Sequence, residues 1–132
     1  MLRGQDIFLR LMEEKDIPDK VRWVNDPEIR ETLIFDFISE AKTKVWFSEI
    51  IRTSTRREFM ICLNETGESI GFTSLKNIDL ANSKAEMSIL LGNKDYWGKG
   101  YAKEARKLLL DYAFRDLGLN RIYTFNWIRN EK

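Results

Sequence analysis

The sequence contains no histidine and only one cysteine, Cys62, in 132 residues. Without histidine, neither a Ser-His-Asp or Cys-His catalytic arrangement nor a histidine-ligated zinc site can be assembled. One cysteine forms no internal disulfide, which agrees with a reducing compartment. Cys62 lies in the apolar run Phe59-Met60-Ile61-Cys62-Leu63 and, with no imidazole to activate it, reads as a small apolar filler. No apolar run approaches the roughly 20 residues that span a bilayer. The start, Met1-Leu2-Arg3-Gly4-Gln5-Asp6, lacks the long apolar segment of a signal peptide. A cytoplasmic protein is expected. Charge of one sign is also scarce: 22 Lys and Arg stand against 21 Asp and Glu, a net charge of +1. Bulk charge therefore gives no argument for a nucleic-acid or membrane partner. With 43% hydrophobic and 33% charged residues, the chain has the balance of one globular domain over residues 1–132.

The apolar spacing predicts a strand over Ile7–Met12 and a helix capped by Asp16 with Pro18 in its first turn. Asn25-Asp26-Pro27 ends that helix, and a short one follows from Glu28 to about Leu33. Ile34-Phe35-Asp36-Phe37-Ile38 is an aromatic connector, after which Ser39 caps a helix from Glu40 to about Thr53. The pattern then changes period. Glu58–Asn64 and Ser69–Lys76 read as strands joined by Glu65-Thr66-Gly67-Glu68, and Ala85–Leu91 as a third strand after a polar connection. Tyr101–Leu117 is helical, with Ala102, Ala105, Leu108, Leu109, Tyr112 and Ala113 on one stripe and Gly118 at its stop. Arg121–Ile128 is a last strand. Three consecutive strands imply an antiparallel meander, and the strand–helix–strand unit from Ala85 to Ile128 implies a parallel, right-handed crossover. The fold class is α/β, a mixed sheet with helices on its faces.

The stretch Tyr96-Trp97-Gly98-Lys99-Gly100-Tyr101-Ala102 joins a strand to a helix. Glycines let the backbone approach an anion closely, and the first helical N–H groups lack partners while carrying the positive end of the helix dipole. The structural alternative is a tight turn whose glycines serve only helix–strand packing. A dinucleotide fingerprint needs a third glycine where Lys103 stands, and a P-loop needs Ser or Thr where Gly100 follows Lys99.

Ala85-Glu86-Met87-Ser88-Ile89-Leu90-Leu91-Gly92, followed by Tyr96-Trp97-Gly98-Lys99-Gly100-Tyr101-Ala102-Lys103-Glu104-Ala105, resembles the acetyl-CoA motif of the GNAT N-acetyltransferases. The likeness is greatest to the branch holding the ribosomal-protein-alanine and spermidine N-acetyltransferases. Gly98 and Gly100 match the family's glycines, whereas Asp95 stands where arginine or glutamine is usual. The resemblance implies a largely antiparallel mixed α+β sheet flanked by helices. It implies acetyl-CoA as cofactor and no metal. Backbone N–H groups of Trp97, Gly98, Lys99, Gly100, Tyr101 and Ala102 would hold the pyrophosphate, and Lys103, Arg106 and Lys107 are either contacts to the nucleotide's other phosphate or a solvated helix face. Backbone groups of Ile89, Leu90 and Leu91 would pair with the pantetheine arm, which Asn130 also contacts, and the N–H near Leu90 would polarise the thioester carbonyl.

The implied reaction is direct attack of a primary amine on the thioester, the amine belonging to a small molecule, an amino sugar or a protein N-terminus. An alkylamine with pKa near 10.4 is neutral in about one molecule in a thousand at pH 7, a cost of roughly 4 kcal/mol that a base offsets. Glu86 aligns with a family acid near the substrate amine, and Ser88 shares its strand face. Glu31, Phe35 and Asp36, with Trp23 and Phe37, are candidates for the acceptor site, since aromatic faces and carboxylates suit a cation. The family continues beyond a segment like Asn130-Glu131-Lys132 with a helix whose tyrosine protonates the leaving thiolate, then two more strands. A C-terminally incomplete domain lacking that helix and those strands is expected, either a fragment or a sheet completed by another chain, with the Arg121–Ile128 edge pairing with a second copy in a homodimer or partly disordered. The alternative function is a catalytically incompetent acyl-CoA-binding or interaction domain.

Overall fold

The computed structural model describes residues 1–31 and 36–124. Six strands lie in sequence order across one sheet: β1 (Leu2–Arg3), β2 (Ile7–Leu11), β3 (Arg57–Leu63), β4 (Ser69–Asp79), β5 (Lys84–Leu91) and β6 (Arg121–Tyr123). Neighbours pair antiparallel from β1 through β5, and β6 joins β5 in parallel, as the meander and the crossover require. Strand β3 is apolar at nearly every position because both of its faces are covered. On one face Phe59, Ile61 and Leu63 join Ile7, Leu9, Leu75 and Met87 beneath Ala105 and Leu109 of helix α4 (Tyr101–Asp111). On the other, Met60 and Cys62 join Phe8 and Met12 beneath α1 (Ile17–Asn25), α2 (Pro27–Arg30) and α3 (Glu40–Ile50). Cys62 is fully buried, consistent with an apolar filler.

Local chemistry accounts for most boundaries. The Asp26 carboxylate accepts from Glu28 N at 2.8 Å and Pro27 opens α2, while Ser39 Oγ accepts from Lys42 N at 3.1 Å to start α3. Gly67 and Gly118, at φ 79° and 69°, close the β3–β4 turn and end the segment after α4. Glu104, on α4, accepts from the backbone N–H of Asp6 at 2.9 Å, which fixes the helix across the β1–β2 connection.

Several expectations change. Asp16 does not cap α1. Its Oδ2 accepts from Glu13 N at 2.8 Å, and its two oxygens take both terminal nitrogens of Arg10 at 2.8 Å. Burial alone raises the Asp16 carboxyl; the Arg10 guanidinium and the Glu13 N–H overcome it and hold the group below the ordinary carboxylate value. The helix expected to run unbroken to Leu117 changes to a π-helical segment at Tyr112–Asp116, where Leu117 N reaches Tyr112 O at 3.2 Å. Strand β4 continues past Lys76 to Asp79, with Asn77 at φ 52° absorbing the irregularity and Ile78 buried beyond it. The two residues of β1 are too few to show a period. The expected strand from Arg121 is seen to Tyr123, and its Phe125–Ile128 part lies outside the described residues. Among the described residues no helix is long and apolar enough to cross a membrane.

Candidate active site

The turn between β5 and α4 starts from a short 3₁₀ segment, Lys94–Tyr96, whose Asn93 side chain accepts from Asp95 N at 3.0 Å. Gly98 and Gly100 then adopt φ 78° and 84°, a conformation that disfavours any side chain. A Cβ on either glycine would meet nothing within 4 Å, so helix–strand packing does not explain them. Gly100 precedes α4 without a side-chain cap. The first amide of the helix with a partner is Glu104 N, which donates to Gly100 O at 3.1 Å. Among the described residues the N–H groups of Gly98, Lys99, Gly100, Tyr101, Ala102 and Lys103 have no acceptor. The turn is thus an exposed run of free donors at the positive end of a helix, the arrangement that holds a phosphate oxygen. Trp97 differs: its backbone N–H donates to Lys94 O at 3.2 Å and its indole Nε1 to Leu91 O at 2.7 Å. Lys103, Arg106 and Lys107 are exposed on α4.

Strand β5 leads into this turn. On one side it pairs with β4 as far as Leu91; on the other, its pairing with β6 covers only Lys84, Ala85 and Glu86 among the described residues. Gly92 N donates to Ile70 O of β4 at 2.9 Å, so strand alternation turns the backbone groups of Leu91 and Ile89 to the open side and those of Leu90 toward β4. Among the described residues no strand pairs with Ile89 or Leu91 on this side, where an amide-bearing chain adds as a further strand. Asn130, the other candidate for that contact, lies outside the described residues.

Beneath α1 and α3 the same strand lines a cavity of about 440 Å³, within the range of small-molecule sites. Its wall holds Ser88, Ile89 and Leu90 of β5, Phe72, Ser74 and Lys76 of β4, and side chains of the helices and connector. Glu86 sits beside it on the same strand face as Ser88. Its carboxylate is 13% exposed, lies 3.9 Å from Lys76 Nζ across the strands and accepts from Asn77 Nδ2 at 3.1 Å. Ser88 Oγ is 2.8 Å from Ser74 Oγ, so one hydroxyl donates to the other.

Of the acceptor candidates, Asp36 and Phe37 reach the cavity mouth, where Arg30 lies 3.7 Å over the Phe37 ring. Glu31 is exposed and outside the lining, and Phe35 lies outside the described residues. Trp23 stacks on Phe72 with centroids 6.4 Å apart, and its indole ring fills the place a Cβ on Gly92 would take, 2.1 Å from Cδ2.

Sequence reasoning missed Lys20, Trp46, Arg56 and Glu58 as cavity residues. Lys20 precedes Trp23 and Val24 by three and four positions, which sets it on the buried face of α1, and that spacing was the available signal. Its ammonium lies 3.8 Å from the Trp46 ring centroid and 4.7 Å from that of Phe72. Burial pushes it down to about 8 from the ordinary 10.5; Glu58 opposes that change, and Arg56 and Lys76 add to it. Between these two values the unfolded chain holds more protons than the folded one, so the Lys20 contribution to stability rises with pH. Lys20→Met is therefore expected to be more stable than the parent at pH 7 by about 1–2 kcal/mol, since ring contacts and cavity water offset part of the desolvation. Urea denaturation should show the gap narrowing from pH 8 toward 10.5; an unchanged gap would contradict the assignment.

Among the described residues, β5 is unpaired beyond Glu86 on the side away from β4 and leads into free amides at the following helix, the arrangement that the resemblance to an acetyl-CoA motif implies. Residues 6–132 match the Acetyltransferase (GNAT) domain family, and the chain belongs to that family of N-acetyltransferases. It is 35% identical over 125 residues to the Uncharacterized N-acetyltransferase p20 of Bacillus licheniformis, covering 92% of this chain and 70% of that one. It is 29% identical over 135 residues to the Putative ribosomal N-acetyltransferase YdaF of Bacillus subtilis, covering 98% and 73%. In fold it resembles the crystal structure of spermidine N-acetyltransferase from Vibrio cholerae in complex with CoA and spermine, with TM-score 0.88, 23% identity and coverage of 96% and 75%.

Proposed function

We propose that the chain transfers an acetyl group from acetyl-CoA to a primary amine by direct attack. The observation that carries this reading is the run of amides from Gly98 to Lys103, without an acceptor among the described residues, leading on from the side of β5 away from β4. Gly98, Lys99, Gly100, Tyr101 and Ala102 would bind the pyrophosphate, and the backbones of Ile89 and Leu91 the pantetheine arm; the Leu91 carbonyl then exchanges its Trp97 indole donor for a ligand amide. Bound there, the cofactor supplies an activated acetyl group. Glu86 is the candidate base that takes the amine's proton, held in place by Lys76 and Asn77. The Ser74–Ser88 hydroxyl pair is positioned to orient a water between Glu86 and the acceptor. The acceptor enters past Asp36 into the cavity beneath α1 and α3. The same proposal carries a cytoplasmic setting and a homodimer through β6, the outer strand of the described sheet.

Isothermal titration with acetyl-CoA, joined to thiol release over a panel of amines, tests the reading. Binding together with release on at least one amine is the expected result. Binding with no release on any of them would favour an acyl-CoA-binding domain, and no binding would remove both.

A further inference from the structure

The cavity under α1 and α3 has an unbalanced set of charges. Three cations line it, Lys20, Arg56 and Lys76, and two carboxylates, Asp36 and Glu58. Arg56 is engaged with the buried Glu58 through Nε–Oε2 at 2.5 Å, and Lys76 faces Glu86. Asp36 stands at the mouth with its side chain 93% exposed, 3.9 Å from Arg30. That leaves Lys20. Its ammonium carries three N–H donors, and its contacts among the described residues are the faces of Trp46 and Phe72. A desolvated cation without an acceptor destabilises the fold, and a carboxylate placed beside it restores both the hydrogen bonds and the opposite charge. A polyamine brings further positive charge against Lys20, Arg56 and Lys76, while the buried Glu58 is already engaged with Arg56 and the cavity's other lining carboxylate, Asp36, is exposed at the mouth, an arrangement that favours an anionic group over a second cation at Lys20.

We propose that this cavity takes an amine acceptor that also bears a carboxylate, and that Lys20 is the residue that receives the carboxylate. The assignment of the molecule as an acceptor rests on the acetyl-transfer reading; the binding of its anionic group does not. The amine end lies toward Ser88 and Glu86, the carboxylate toward Lys20, and an apolar body fits against Val24, Ile38, Trp46 and Phe72. The acceptor class is therefore an amino acid with an aliphatic body rather than a polyamine.

The test uses acceptors in pairs that differ only by the carboxylate: leucine against 3-methylbutylamine, and 6-aminohexanoate against hexylamine, with spermidine alongside. Thiol release at pH 7 is expected to give at least about a tenfold higher kcat/KM for the acid in one pair or both, which is the discrimination a single charged contact supplies. Lys20→Met, which keeps the stem but not the charge, should bring the ratio to within about threefold, and Lys20→Arg should restore it. A parent that prefers the plain amines or spermidine, or a ratio that survives Lys20→Met, would overturn the proposal. Calorimetric titration of the same compounds, with coenzyme A present, reads the Lys20 site without the chemistry. An acid that binds, and ceases to bind in Lys20→Met, upholds the anion site even where no thiol is released, and the acetyl-transfer reading alone then fails. Thiol release on plain amines with neither preference nor binding of the acids leaves acetyl transfer standing and removes this proposal.

Discussion

Alanine at both Gly98 and Gly100 is expected to weaken acetyl-CoA binding by about 100-fold, roughly 2.7 kcal/mol, on the scale of one or two charge-assisted hydrogen bonds. The reasoning is steric on the ligand's side and conformational on the protein's. Neither new methyl group meets protein within 4 Å, so on the proposed phosphate site each is added on the ligand's side of the turn, with no protein contact to absorb it. Each also occupies a backbone conformation at φ near 80°, which costs about 1 kcal/mol per site in stability. Gly67 and Gly118 provide the control, since they share the positive φ and the open surroundings but lie away from the turn. Gly67→Ala and Gly118→Ala should lose similar stability with acetyl-CoA affinity intact. Titration calorimetry and urea denaturation on the three variants separate the two effects. Equal losses of affinity in the control pair, or affinity unchanged in the Gly98/Gly100 variant, would remove the phosphate assignment.

Glu86→Gln should lower kcat for acetyl transfer by about 100- to 1,000-fold near neutral pH, the usual contribution of a positioned base. Glutamine keeps an oxygen to accept from Asn77 and nearly the same volume, so the strand needs little adjustment. What it removes is the site to which the amine's proton moves. The variant's rate should then climb with pH in step with the neutral fraction of the acceptor, up to an amine pKa near 10.4. Acetyl-CoA affinity is a separate readout, because the turn and the open side of β5 do not involve this side chain. A kcat within about threefold of the parent would reduce Glu86 to the ion-pair partner of Lys76.

The glycine turn proposed to hold the cofactor was legible in the sequence because it is local. Gly98 and Gly100, the strand before them and the striped helix after them lie in one continuous segment, and backbone geometry at such a turn depends on few distant residues. The acceptor side was not, because its wall is assembled from α1, α3, β3, β4, β5 and the connector before α3. Periodicity places Lys20 and Trp46 on buried faces, but it does not say that those faces meet over Phe72. Glu58 read as an ordinary first residue of a strand, yet it is buried beside Arg56. Asp16 shows the same limit at shorter range. A carboxylate before a proline-led helix looks like a cap, and only the position of Arg10 on β2 turns it into half of a bidentate ion pair.

Trp23 lies between the two proposed halves of the site, its ring stacked on Phe72, which lines the cavity, and packed against Gly92, which follows β5 ahead of the glycine turn. A ligand that displaced Phe72 and one that displaced Gly92 would each press on this buried side chain. Whatever factor an acceptor imposes on acetyl-CoA affinity through this indole, acetyl-CoA must impose on the acceptor in equal measure, because the two binding free energies close a thermodynamic cycle. On the proposed function, the indole is a packed link through which such a factor would be carried.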